Sequence, residues 1–309
     1  MSKEQPGSEK QTDEKSMAKT MWDDMAGAAG SYTAAQSGQM YVGSVNKAIQ
    51  NFTDDVNNNF KNSSSNRSLD STKGFVAEFW HAHTYTIDAT ARGTGAHAER
   101  LGINTKGSVD VKTVDANGKI LTEAGLKYYK TSEKSAKAQG TDWVQAYHDY
   151  CAKSGNPMSL EEYLKKNGIS KSRQYESIYK DQKRIIPAEQ LDDARVSVEK
   201  LKNNELNKNG GANRRAVGEK WVEVEQNLTD RLADSGGASL PIATNDAKTA
   251  SAEALVGRFD AKNYGVTAQT MIKKEYAQKQ ARDAGAQSAL ISVTLTVGPD
   301  IIGGFQYLM

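Results

Sequence analysis

Two carboxylates and a lysine, Glu78, Asp110 and Lys127, are the residues of this chain whose types and spacing suit a defined chemistry. Hydrolysis of a phosphodiester needs an activated water, neutralisation of charge building on the phosphate, and help for the leaving oxygen. One or two divalent ions held by carboxylates supply most of that. A lysine beside them orients or deprotonates the water and stabilises the developing negative charge. Glu78 suits the role of metal ligand, Asp110 that of principal metal ligand, and Lys127 that of water-positioning cation. The metal expected with such oxygen donors is Mg²⁺ or Mn²⁺.

The elements around these residues must bring them together. Ser71 or Thr72 can cap a helix starting near Lys73. Along it Phe75, Val76, Phe79, Trp80 and His83 form an apolar stripe, and Glu78 lies beside that stripe. An acid in such company needs a partner, either a metal ion or a cation such as Arg92 or Arg100. Thr84–Ala91 alternates like a short strand, and 91–107 reads as a loop. Ser108–Val114 alternates strictly, as a half-buried strand does, and carries Asp110. Asn117-Gly118 supplies the positive φ of a tight hairpin, so the strand returning through Leu126 sets Lys127 beside Asp110. Thr131 or Ser132 then opens a helix. The recurrence of Lys130, Lys134 and Lys137 in and before that helix suits backbone phosphates, and taken alone it also describes an ordinary solvated face.

This order resembles the PD-(D/E)XK, or restriction-endonuclease-like, nucleases. In them a helix acid precedes a strand Asp and a following (Glu/Asp/Gln)-x-Lys strand, with a helix packed on the sheet. The resemblance covers about residues 73–140. It implies an α/β fold with a restriction-endonuclease-like core built on a small mixed sheet, and a Mg²⁺-dependent endonuclease acting on DNA. By analogy it suggests a role in defence. This sequence departs from the pattern at Gly125, where the acid two positions before Lys127 should stand. A backbone carbonyl facing the metal there, or Glu123 reaching in through a bulge, would be substitutes. A second reading takes Asp110-Val111-Lys112 as the acid-x-Lys element, with Asp88 or Glu99 as the upstream acid.

The rest of the chain bounds the reading. The chain has 309 residues, a 37% apolar fraction and a net charge of only +2, so a nucleic-acid partner must be argued from local charge. Cys151 is the single cysteine, which excludes an internal disulfide framework and a cysteine zinc cluster. His81 and His83 diverge by about 200° on a helix and are expected to be structural rather than zinc ligands. Gly93-x-Gly95-x-x-Ala98 lacks the strand and helix that a dinucleotide fingerprint needs. The opening residues are polar, without a secretory h-region, and the apolar stretch 289–305 is broken by Gly298, Pro299 and Asp300. The expected location is therefore cytoplasmic, with no membrane partner.

Residues 1–70 read as a mostly disordered tail holding one amphipathic helix, with Val45, Ile49, Phe52 and Val56 on one face. Residues 71–155 read as the nuclease-like core. Residues 156–309 read as an all-helical region that offers surfaces for a protein partner or a second copy. It includes a helix from Ser172 to Ile186 and another from Ala216 to Ala233. The competing functional readings are a non-cleaving binding subunit of the same fold, and a helical interaction or structural protein.

Overall fold

The computed structural model describes residues 9–61, 68–103, 105–207 and 211–283, with side chains from residue 35 onward. The chain divides into two compact units, one of residues 1–47 with 267–309 and one of residues 48–266. In chain order the elements are α1 (Glu9–Lys61), α2 (Leu69–Arg92), β1 (His97–Arg100), β2 (Val111–Val114), β3 (Ile120–Leu126), α3 (Ser132–Gln139), α4 (Trp143–Cys151) and α5 (Leu160–Lys166). They continue with β4 (Lys183–Ile185), α6 (Leu191–Leu206), α7 (Ala212–Asn227), β5 (Leu228–Thr229), α8 (Thr244–Leu255), α9 (Ala268–Met271) and α10 (Lys274–Asp283).

The larger unit is mixed α/β and organised on a five-stranded sheet of order β1-β2-β3-β4-β5. β1, β2 and β3 are antiparallel, with Val111 opposite Ala124 and Lys112 opposite Glu123. The turn between β2 and β3 holds Gly118 at φ 81°, the conformation that Asn-Gly was expected to supply. β4 and β5 then add in parallel, Gly125 facing Arg184 and Ile185 facing Thr229.

The region after residue 155 is therefore not all-helical, because it donates two strands to the sheet that Asp110 borders. β4 reads Lys-Arg-Ile and β5 only Leu-Thr, too short and too polar for strand periodicity to register. Arg184 is fully buried in β4, where its two terminal nitrogens donate to Glu223, Ser177 Oγ (3.0 Å) and the Gln139 carbonyl. The helix expected from Ser172 to Ile186 is instead a 3-10 turn, Lys171–Arg173, followed by turns and then β4. The helix expected over Ala216–Ala233 begins at Ala212 and stops at Asn227, where β5 takes over.

α2 is the longest helix wholly within this unit. Ser68, rather than Ser71 or Thr72, caps its start by accepting from Ser71 N, and Gly93 ends it at φ 68°. It runs straight through 84–91, which alternates like a strand. The hydroxyls of Thr84, Thr86 and Thr90 bond back to the carbonyls four residues earlier, at 2.6, 2.9 and 2.8 Å, so these threonines keep their polar groups satisfied inside a helix. Two of them also anchor neighbouring backbone. Thr84 accepts from Leu240 N and Thr86 from Ala98 N, each at 3.0 Å. That second bond helps to place β1, a strand that lies inside the expected loop.

α2 lies against β1, β2 and β3, while α7 lies against β4 and α6 against β5. Ala136 of α3, Ile186, Ala194 and Val198 of α6, and Trp221 and Val224 of α7 form one buried cluster. Gly140 ends α3 where a Cβ would stand 2.3 Å from the Trp221 ring, so only glycine lets the helices approach this closely.

The expected amphipathic helix is present as the end of a far longer one. α1 is helical from Glu9, across most of the stretch read as a tail. Ile49, Phe52, Val56 and Phe60 are buried, and Phe52 meets Trp80 and Phe259 at centroid distances of 5.7 and 5.1 Å. In the smaller unit Tyr41, Val42, Val45, Met271, Ile272 and Ala277 are buried. Among the described residues no helix is long and apolar enough to cross a membrane. The apolar stretch 289–305 lies outside the described residues.

Candidate active site

Glu78, Asp110 and Lys127 line one cleft of about 550 Å³, together with Asp70, Lys73, Lys106, Leu126 and Tyr179. Three separate elements deliver them. Glu78 comes from the first half of α2, whose buried stripe of Val76, Phe79 and Trp80 fixes its rotation. Asp110 immediately precedes β2, and Lys127 immediately follows β3, so the hairpin brings both to one end of the sheet.

Asp110 is held by its own backbone and by its neighbour. Its N–H donates to the Ala124 carbonyl at 2.9 Å, and its Oδ2 accepts from Leu126 N at 2.7 Å. Lys127 Nζ lies 3.6 Å from that same Oδ2. The ammonium also donates to the Leu126 carbonyl at 2.9 Å and sits 4.6 Å from the centre of the Tyr179 ring. Burial works against this ammonium, but Tyr179 and Asp110 more than offset it and leave its pKa raised. Lys127 is therefore a fixed positive charge, which suits charge stabilisation and water positioning rather than proton abstraction.

Glu78 is in the opposite condition. Burial, with the facing charge of Asp110, pushes its carboxyl up to about 7 against the partial relief given by Arg100 and Lys127. The Arg100 guanidinium lies 3.3 Å from Glu78 Oε2 and 4.2 Å from the centre of the Phe79 ring. The cation expected as one possible partner of Glu78 is thus present, and it leaves the acid under strain. A desolvated acid facing a second acid is an arrangement that an added cation relieves.

The substitutes expected for the missing acid at Gly125 fare differently. The Gly125 carbonyl is taken by Gln139 Nε2 at 2.9 Å. Glu123 stands opposite Lys112 and does not line the cleft, and the irregularity in this hairpin falls between Thr113 and Val114 instead. Leu126 is the residue of β3 that reaches the cleft beside Asp110 and Lys127. The alternative acid-x-Lys reading separates: Lys112 pairs with Glu99 at 3.0 Å, outside the cleft, and Asp88 is held by Arg92 at 2.6 Å and Ala238 N at 2.7 Å.

Of the lysines expected to meet phosphates, Lys130 lines the cleft, is exposed, and has no ion pair among the described residues. Lys134 and Lys137 are exposed on α3 away from the cleft, Lys137 paired with Glu133 at 2.6 Å. Lys73 and Lys106 join the cleft wall instead, each tied to an acid: Lys73 to Asp70 at 3.2 Å, and Lys106 to Asp149. They come from the first turn of α2 and from the loop before β2, and no spacing in the sequence links them to Lys127.

The two histidines of α2 are structural. His81 is buried, its ring bonded to Ser239 Oγ at 2.8 Å and Tyr128 OH at 2.9 Å, and burial lowers its pKa to about 3. His83 stacks on Phe52, with centroids 4.9 Å apart.

Among the described residues no group of three or more His, Cys, Asp or Glu side chains is placed to hold a metal ion. Mg²⁺ does not require one, since it keeps several waters and is typically bound by one or two carboxylates together with substrate phosphates. The hard oxygens of Glu78 and Asp110 fit that donor set, and nothing here fits a soft metal. No protein-family model, no curated protein and no solved structure matches this chain.

Proposed function

We propose that this chain is a Mg²⁺- or Mn²⁺-dependent endonuclease that cuts DNA through a restriction-endonuclease-like core. The observation that carries the reading is the convergence of Glu78, Asp110 and Lys127, from three elements, on one cleft with Lys127 Nζ 3.6 Å from Asp110. Residues far apart in sequence line one cleft, which supports the reading, and Lys112 of the competing reading pairs with Glu99 outside it.

In this reading Asp110 and Glu78 hold the ion, which when bound polarises the phosphate and lowers the pKa of a coordinated water. The chain's own groups do the rest. Leu126 N–H fixes one Asp110 oxygen, so the carboxylate is oriented before any ligand arrives. Lys127, held by the Leu126 carbonyl and the Tyr179 ring, keeps its charge aimed at the place where negative charge develops on the phosphate. Lys130, Lys106 and Lys73 on the cleft wall attract the phosphate backbone.

A non-cleaving DNA-binding protein is the second reading, favoured by the absence of an acid at position 125. Incubating the full chain with supercoiled plasmid and Mg²⁺ separates the two. Nicking that chelator stops and Asp110→Ala abolishes supports the enzyme. DNA binding with no nicking in Mg²⁺ or Mn²⁺ supports the second reading.

A further inference from the structure

A tyrosine ring stands open on the wall of the cleft. Three tyrosines line that wall, and two of them are engaged. Tyr128 is buried with its hydroxyl 2.9 Å from His81 Nε2, and the Tyr179 ring carries the Lys127 ammonium. Tyr129 is 47% exposed, and among the described residues its side chain makes no hydrogen bond and no ring contact. Its backbone, by contrast, is clamped. The Tyr129 N–H donates to Ser135 Oγ at 3.2 Å, and its carbonyl accepts from Gln190 Nε2 at 3.0 Å. Ser135 and Gln190 are both buried, and Ser135 Oγ donates to Gln190 Oε1 at 2.7 Å. An aromatic ring is thus held on a fixed backbone with much of its surface left for a partner to cover.

Positive charge flanks the ring on both sides. Burial lowers the pKa of Lys127, while Tyr179, Asp110 and Tyr129 raise it, so the Tyr129 phenol lies on the ammonium's side. Lys130 follows in sequence, lines the same wall, is exposed and has no ion pair among the described residues. Ile103, also half exposed, adds a second open apolar side chain to the wall. Lysines that neutralise phosphates, beside a ring that takes the face of a base, are the two parts of a single-strand site. A duplex offers such a wall only its phosphates, because its bases are paired and stacked on one another. We infer that the cleft selects an unpaired DNA strand, with one base stacked on Tyr129 and the neighbouring phosphate held by Lys130. This deepens, and rests on, the reading of the cleft as a DNA site. Negatively supercoiled plasmid offers such strands where its duplex opens, so it is a substrate that suits both.

The test is fluorescence anisotropy of the full chain with a labelled DNA oligonucleotide, alone and annealed to its complement, in chelator so that no strand is cut. Wild type binds the single strand more tightly than the duplex. Tyr129→Ala weakens single-strand binding on the order of tenfold and leaves duplex binding within about twofold. Tyr129→Phe keeps the wild-type affinity, since the ring and not the hydroxyl is the platform. Equal losses for single strand and duplex in Tyr129→Ala overturn the inference. So does a wild type that binds the duplex as tightly as the single strand. If Tyr129→Ala does not fold by circular dichroism, Tyr129→Leu decides: lost single-strand affinity supports the ring's role, and retained affinity overturns it. Mg²⁺-dependent nicking by the wild type, with unchanged single-strand binding in Tyr129→Ala, overturns this inference and leaves the nuclease reading standing. Single-strand binding that depends on Tyr129, with no cutting in Mg²⁺ or Mn²⁺, supports this inference and overturns cleavage.

Discussion

Replacing Lys127 by methionine removes the charge while keeping most of the stem that packs on Tyr179. At an effective dielectric constant of about 20, unit charges 3.6 Å apart interact by about 4.6 kcal/mol. The two side chains keep 18% and 15% of their exposure, so screening by water and salt trims this to about 3 kcal/mol. A phosphate that develops charge beside the same ammonium gains a comparable amount. Losing it slows the chemical step on the order of 10²-fold. Single-turnover nicking of supercoiled plasmid with saturating enzyme and Mg²⁺ measures that step without substrate binding. Lys112→Met serves as the control, because Lys112 is occupied with Glu99 outside the cleft, and it should cut at the wild-type rate. A Lys127→Met enzyme that cuts within about threefold of wild type would refute the electrostatic role assigned to this lysine.

Three further outcomes follow from the same geometry. Lys130→Glu lowers the salt dependence of DNA binding by about one counterion, whereas Lys134→Glu with Lys137→Glu leaves it unchanged; fluorescence anisotropy across a salt series reads both. Lys220 lies 2.8 Å from Asp142, with side chains only 6% and 12% exposed, so Lys220→Met strands a buried charge and lowers stability by about 3–5 kcal/mol in urea unfolding. Adding Asp142→Asn recovers part of that, since Asn keeps the cap that Asp142 gives α4. Burial holds the folded-state pKa of His81 at about 3, below its ordinary 6.5, so the unfolded chain takes up the proton first as pH falls. Its stabilising contribution is intact above about pH 6.5 and declines below it, by about 1.4 kcal/mol between pH 7.5 and 5.5. Glu78, raised to about 7, acts in the opposite sense, so the measurement is the difference in pH slope between wild type and His81→Gln. Parallel slopes would contradict the assignment.

The meeting of Glu78, Asp110 and Lys127 was legible because short-range chemistry specifies it. An Asn-Gly turn sets the register of β2 against β3, and the apolar stripe of α2 orients Glu78. What lay out of reach depends on tertiary partners. The Thr-rich half of α2 alternates like a strand, but it buries Tyr85, Ile87 and Ala89 as a helix, with its threonine hydroxyls back-bonded and two of them holding backbone at Ala98 and Leu240. β4 is three residues with a buried arginine, made tolerable by Glu223, which follows in sequence by 39 residues. The lysines at 73 and 106 reach the cleft wall through packing, and neither periodicity nor spacing announces that.

The most direct measurement is Mg²⁺-dependent strand scission by the full chain against its Asp110→Ala variant, with cleavage products resolved on a denaturing gel. Nicking by the wild type is expected to be lost on chelation and lost in Asp110→Ala, whose circular-dichroism spectrum stays unchanged. Equal scission by the two proteins, or scission indifferent to the divalent ion, would contradict it.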